Sequence, residues 1–170
     1  MLDKTIYDKA PAYYQYYFDL VDSNDILKEL QLNDDEVCGI IRSVPEERWH
    51  IAYADGKWTS AELIRHVIET ERIFSYRALR FSRFDKTALP GFDENDYVGA
   101  LHSVQFTKDQ ILREFKSVRM STLTLFESMN ADMLQFMGNA NGLSMSAEML
   151  GFMIVGHTKH HLQILVDRYL

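Results

Sequence analysis

Four stretches of this chain repeat apolar residues at helical spacing, and that pattern restricts the fold more than any other feature. In the first, Ile26, Leu27, Leu30, Val37, Ile40, Ile41 and Val44 share one side of a helix that Pro45 ends. Ser23 or Asn24 is placed to cap it, with Asp25 in the first turn facing the positive end of the helix dipole. The second opens on Thr59 or Ser60, with Glu62 following as in a capping box. It runs through Leu63, Val67, Ile73, Phe74, Ala78, Leu79 and Phe81 to about Phe84. Thr107 caps a third, carrying Ile111, Phe115, Val118, Leu123, Leu125 and Phe126. Ser144 or Ser146 begins a fourth that reaches the last residue through Met149, Met153, His157, Ile164 and Leu165.

The breaks fall where turn residues gather: Asp55-Gly56, Pro90-Gly91 within a loop over 85–102, and Asn139-Ala140-Asn141-Gly142. No segment alternates as a strand should. Four amphipathic helices with short or moderate connections predict an all-α protein, a four-helix bundle occupying one domain over residues 1–170. Residues 1–22 hold Tyr7, Tyr13, Tyr14, Tyr16 and Tyr17 and are broken by Pro11. They read as an N-terminal aromatic arm, with at most a short turn of helix, laid on the bundle as a surface covering.

Charge narrows the partners. Eighteen Lys and Arg against 25 Asp and Glu give a net charge of −7, which phosphate backbones and anionic membranes repel. Neither nucleic acid nor membrane is expected as a partner. Cys38 is the only cysteine and sits among Val37, Ile40 and Ile41, so it reads as a small buried hydrophobe, with no disulfide and no thiolate cluster. The first residues lack the shape of a signal peptide and no apolar run approaches the roughly 18 residues of a membrane span, so a cytoplasmic location is expected.

Polar residues on the apolar faces then become the ones to question. His157 and His161 are one helical turn apart, on the side of the last helix that carries Met153 and Ile164. That spacing lets two imidazoles meet one cation at about 2.0–2.1 Å each. His160 falls on the flank of the same stripe, and Gly156 leaves room beside the pair for another helix or a ligand. Two histidines hold a metal weakly, so a third ligand is needed. His66, between Leu63 and Val67 on the second helix, is the candidate. Three such imidazoles would leave a coordination position open, as catalytic sites do. The plainer alternative is that each is a hydrogen-bonded core histidine. His50 and His102 fall in loops and read as solvated.

Longer motifs bear on that choice. KWTSAELIRHVIETERIFSYRALRFSR, then LPGFDENDYV, then VGHTKHHLQIL closely resemble the DinB-like superfamily, named for DNA-damage-inducible proteins, over nearly the whole chain. The resemblance implies a four-helix bundle holding a divalent metal on His66, His157 and His161; the metal's identity does not follow from it, and zinc or nickel is expected ahead of iron or manganese. It also implies a homodimer, and relatives that transfer low-molecular-weight thiols, hydrolyse small molecules or serve sulfoxide synthases. Glu69 stands where similar sequences often have aspartate, and Thr158-Lys159 replaces an expected acidic or apolar pair. Neither change removes a ligand.

Glu69 and His160 are the candidate catalytic residues. Glu69 reads as a general base or orienting group for His66, or else as an ordinary partner for Arg65 or Arg72. His160 reads as a donor to substrate or as a satisfied flank residue. Arg72, Arg77, Arg80 and Arg83 form either an anion-binding wall or local ion pairs. Three functions stay open: a metal-dependent transferase or hydrolase acting on a small molecule, with a thiol as one candidate cosubstrate; a metal-binding module without catalysis; and an interaction bundle with idle histidines.

Overall fold

Helix starts decide where the long elements lie, and the caps are visible in the computed structural model, which describes Ile6, Asp8 and residues 10–170. Residues 1–5, Tyr7 and Lys9 lie outside those described. The chain forms α1 (Ala12–Phe18), α2 (Ile26–Ser43), α3 (Ser60–Ser82), α4 (Glu94–Ala100), α5 (Lys108–Glu127), α6 (Ala131–Gln135), the strands β1 (Met137–Ala140) and β2 (Leu143–Ser146), and α7 (Ala147–Tyr169). Thr59 caps α3 in a reciprocal box: its side chain accepts from the Glu62 amide, and Glu62 accepts from the Thr59 amide. Thr107 and Gln110 do the same for α5, and Ser146 accepts from the Met149 amide at the start of α7.

The first bundle helix starts later than the sequence suggests. Asp25, not Ser23 or Asn24, is the cap of α2. Its Oδ1 accepts from the Lys28 amide at 3.0 Å, while Ser23 Oγ accepts from the Asp25 amide. A carboxylate at this position meets the orphan amide directly, so the helix begins one residue after it.

The expectation of no strand fails at the turn before α7. β1 and β2 pair antiparallel, with Met137 opposite Ser146 and Ala140 opposite Leu143. Asn141 and Gly142 between them both have positive φ, 53° and 77°, the backbone that a two-residue hairpin turn demands. The turn residues were legible, but four-residue strands containing Gly138, Asn139 and Ser144 carry too little alternation to be read. Two further helices also escape the sequence reading: α4 within the 85–102 loop, capped by Asp93, and the short α6.

α2, α3, α5 and α7 make the bundle. α3 packs on α7 and α5, and α2 packs on the same two from the other side. α1 lies along α7 with Tyr14 and Phe18 buried, so the arm is part of the core rather than a mere covering. Gly156 explains how it fits: a Cβ there would stand 2.1 Å from the Tyr17 carbonyl oxygen. The close neighbour that this glycine admits is the arm.

The core divides into two apolar clusters. One, toward the hairpin, holds Phe18, Leu30, Phe81, Phe126 and Phe152; the other holds Val37, Ile41, Trp49, Ile64, Phe115 and Tyr169. Between them, polar residues interrupt each long helix: Asn33 on α2, Thr70 and Glu71 on α3, Arg119 and Thr122 on α5, His157, Thr158 and His161 on α7. The bundle therefore carries a polar layer at its middle, and burying such groups costs energy unless each finds a partner.

Candidate metal centre

The α3 side of that layer meets α7 at three imidazoles. His66 Nε2 lies 3.0 Å from His157 Nε2, and His161 Nε2 lies 3.1 Å from the same atom. Their solvent exposures are 7%, 8% and 9%, so all three rings are inside the protein. Each offers a nitrogen to one point, the three atoms lying within 4.8 Å of one another. The Trp58 ring covers His66 at 4.8 Å between centroids, and Tyr17 and Phe74 flank His157 at 5.9 and 6.3 Å.

Burial keeps these rings neutral. It holds His66 down to about 4, helped by the nearby His160, and His161 down to about 3, helped by His66 and His160. His157 is held well below its ordinary value by burial first, then by His161, His66 and His160. Neutral imidazoles are the form that binds a cation.

The donor set fits a metal ion. Without one, His157 Nε2, which can either donate one proton or accept on one lone pair, would have to serve two neighbours at once. A cation takes all three lone pairs at once. Ligand distances of about 2.0–2.1 Å at angles of 90–110° put neighbouring nitrogens about 2.9–3.4 Å apart, and the two pairs that include His157 lie in that range. His161 Nδ1 is buried without a partner among the described residues, so no hydrogen bond on that side of the ring orients it.

These rings sit at a cavity of about 370 Å³. Its walls carry the aromatic rings of Tyr13, Tyr14, Tyr17, Trp58, Phe74 and Phe92 and the polar side chains of Thr70, Arg77, Glu94 and Asn141. Of these, only Arg77 was singled out as a possible site residue by sequence reading. Thr70 and Asn141 come into position only through helix phase and the hairpin turn. The phase was readable: His66, Thr70, Phe74 and Arg77 recur at helical spacing along one face of α3.

The other candidates separate. His160 lines the cavity beside the three, half-buried, with Nδ1 3.0 Å from the Tyr16 hydroxyl and its ring edge-on to Tyr16 and Tyr17. Glu69 faces the other flank of α3, where Oε1 accepts from Arg65 at 3.0 Å; Arg65 also binds Glu114. Glu69 is not among the residues lining the histidine cavity. His50 is exposed, and His102 stands at 3.3 Å from Glu62 on the surface.

Against known proteins, the profile of the DinB superfamily matches residues 29–165, a span that includes all three histidines. The chain belongs to the DinB superfamily. Among solved structures, this DinB protein is similar to YfiT from Bacillus subtilis, described as a probable metal-dependent hydrolase with an unusual four-helix bundle topology. The TM-score is 0.75 at 13% identity, over 84% of this chain and 82% of YfiT. At that identity the likeness shows the shared bundle. The search of curated proteins returns no match.

Proposed function

We propose that this DinB protein is a metal-dependent enzyme acting on a small molecule, a hydrolase or a thiol-dependent transferase, with its ion held by His66, His157 and His161. The observation that carries the reading is the convergence of three buried neutral imidazoles at a cavity large enough for a small organic substrate. The description of YfiT as a probable metal-dependent hydrolase supports the same reading. A divalent ion bound here would supply a Lewis acid with an open position, able to lower the pKa of bound water or of a thiol.

The chain's own residues then divide the remaining work. Trp58, Tyr17 and Phe74 shield the imidazoles from bulk water and give a substrate apolar walls. With the Tyr16 hydroxyl donating to Nδ1 of His160, the neutral ring carries its proton on Nε2 and can donate to a substrate oxygen or sulfur. Glu69 acts at a distance, holding Arg65 against the bundle. The proposal takes the chain as one domain forming a cytoplasmic homodimer, to be checked by sedimentation.

The test is turnover by zinc-, nickel-, iron- and manganese-loaded protein across esters, amides and thiol–electrophile pairs. Metal-dependent turnover that disappears in His157→Ala is expected. Inertness across that panel with metal bound would make the protein a binding module instead.

A further inference from the structure

Among the described residues only two arginines are buried, Arg77 and Arg119, exposed by 4% and 1%. Arg119 meets its carboxylate, Glu71, through two nitrogens at 2.9 Å each. Arg77 has none: no carboxylate among the described residues lies within ion-pair distance. Its one acceptor among the described residues is the Pro90 carbonyl, at 2.8 Å from one terminal nitrogen. Arg72 and Arg80, its neighbours on α3, are answered by Glu114 and Asp85. A guanidinium stays charged in a protein, so a buried one without a counter-charge is costly unless something else supplies that charge.

Arg77 lines the cavity that holds the histidines. One phenyl ring separates the two: the Phe74 centroid is 6.3 Å from the His157 ring and 5.7 Å from Arg77 Cζ. Phe92 flanks the guanidinium at 5.9 Å. On an α-helix side chains lean toward the N-terminus, which tilts Arg77 back toward Thr70 and His66. Thr70 Oγ1, buried between them on the same face, lacks a partner among the described residues. Tyr14, buried at the same cavity, keeps its proton because burial raises it, and it can donate beside Arg77.

We infer that the substrate is a carboxylate monoanion with a flat apolar body, its anion held by Arg77 and Tyr14 and its body lying over Phe74 toward the histidines. This rests on the reading of the cavity as the substrate site, but not on the metal. A carboxylate suits the site better than a phosphate dianion. One guanidinium edge is already given to Pro90, Glu94 stands at the same cavity, and the protein carries a net charge of −7.

Benzoate, its neutral isostere benzamide, and phenyl phosphate serve as probes, titrated by NMR into the full chain both metal-free and zinc-loaded. Benzoate should bind about 10- to 100-fold more tightly than benzamide, the worth of a buried charged hydrogen bond. Arg77→Met should bring the two to parity while its zinc stoichiometry and circular dichroism stay as in the wild type, and Arg77→Lys should keep part of the preference. Preference for benzoate in a wild type that takes up no zinc would support this assignment while removing the metal. Equal binding of benzoate and benzamide by the wild type, or tighter Arg77-dependent binding of phenyl phosphate than of benzoate, would overturn it.

Discussion

The polar layer across the middle of the bundle has two halves built to opposite plans. On the α2–α5 side, Arg119 donates to both oxygens of Glu71, to the Leu30 carbonyl at 2.8 Å and to Asn33 Oδ1 at 3.1 Å. Every guanidinium nitrogen is answered, and both charged side chains are 1% exposed. On the α7 side, three imidazole nitrogens converge, and among the described residues Thr70 Oγ1 has no partner and Arg77 no carboxylate. The same helix, α3, supplies Glu71 to the first half and His66, Thr70 and Arg77 to the second. Burial alone therefore says little about a polar residue's purpose. Asn33 Nδ2 lacks a partner among the described residues even in the first half, so what separates structure from site here is whether the buried charge meets its counter-charge within the protein.

Breaking the closed half should have the largest effect on stability. Glu71→Ala leaves Arg119 buried and unpaired, which should cost about 3–5 kcal/mol in urea denaturation. Zinc uptake by whatever folds should be unchanged. A loss below about 1 kcal/mol would mean that the pair contributes far less than its closure suggests.

Acid should weaken the open half, and the sign follows from the lowered values. The unfolded chain's histidines protonate near 6.5, whereas His66 resists until about 4 and His161 until about 3. The unfolded state thus binds more protons as pH falls below 6.5, and metal-free protein loses stability through that window. At pH 5 the loss is of the order of 2 kcal/mol for each of these two groups relative to pH 7. Saturating zinc should offset it, since bound ligand favours the folded state. Denaturation midpoints at the two pH values, with and without zinc, measure both effects; a metal-free midpoint flat across this range would contradict the burial assigned to the rings.

The contact between the arm and the site is the finest point of comparison. Gly156→Ala pushes a methyl into the Tyr17 carbonyl and should cost about 1–3 kcal/mol. Because Tyr17 flanks His157, displacement of α1 should also make tyrosine fluorescence of the arm sensitive to quencher. Unchanged stability and quenching would show that the arm seats itself elsewhere.

How much was legible in the sequence depended on whether the information was local. Helix phase and capping are local, so the bundle and three of its four caps followed from residues such as Thr59, Glu62, Thr107 and Ser146. The turn of one helix also placed His157 and His161 side by side. His66 comes from a helix far earlier in the chain, and its meeting with that pair is a tertiary fact: residue reasoning could only nominate it as the third ligand, and the family resemblance strengthened that choice. Glu69 illustrates the limit in the other direction. Three residues after His66 it sits one sixth of a turn away around α3, enough to face Arg65 and Glu114 on α5 instead of the cavity. Arg77 could not be told from Arg72 and Arg80 by composition, because what distinguishes it is the carboxylate that each neighbour finds and it does not.

The central claim is that the open half of the layer is completed by one metal ion. Elemental analysis of untagged protein by mass spectrometry tests it most directly. The account predicts close to one equivalent of a single divalent metal per chain in the wild type and essentially none in His66→Ala. A wild type that is metal-free and takes up no zinc, nickel, iron or manganese on dialysis, or a His66→Ala variant that holds as much as the wild type, would contradict it.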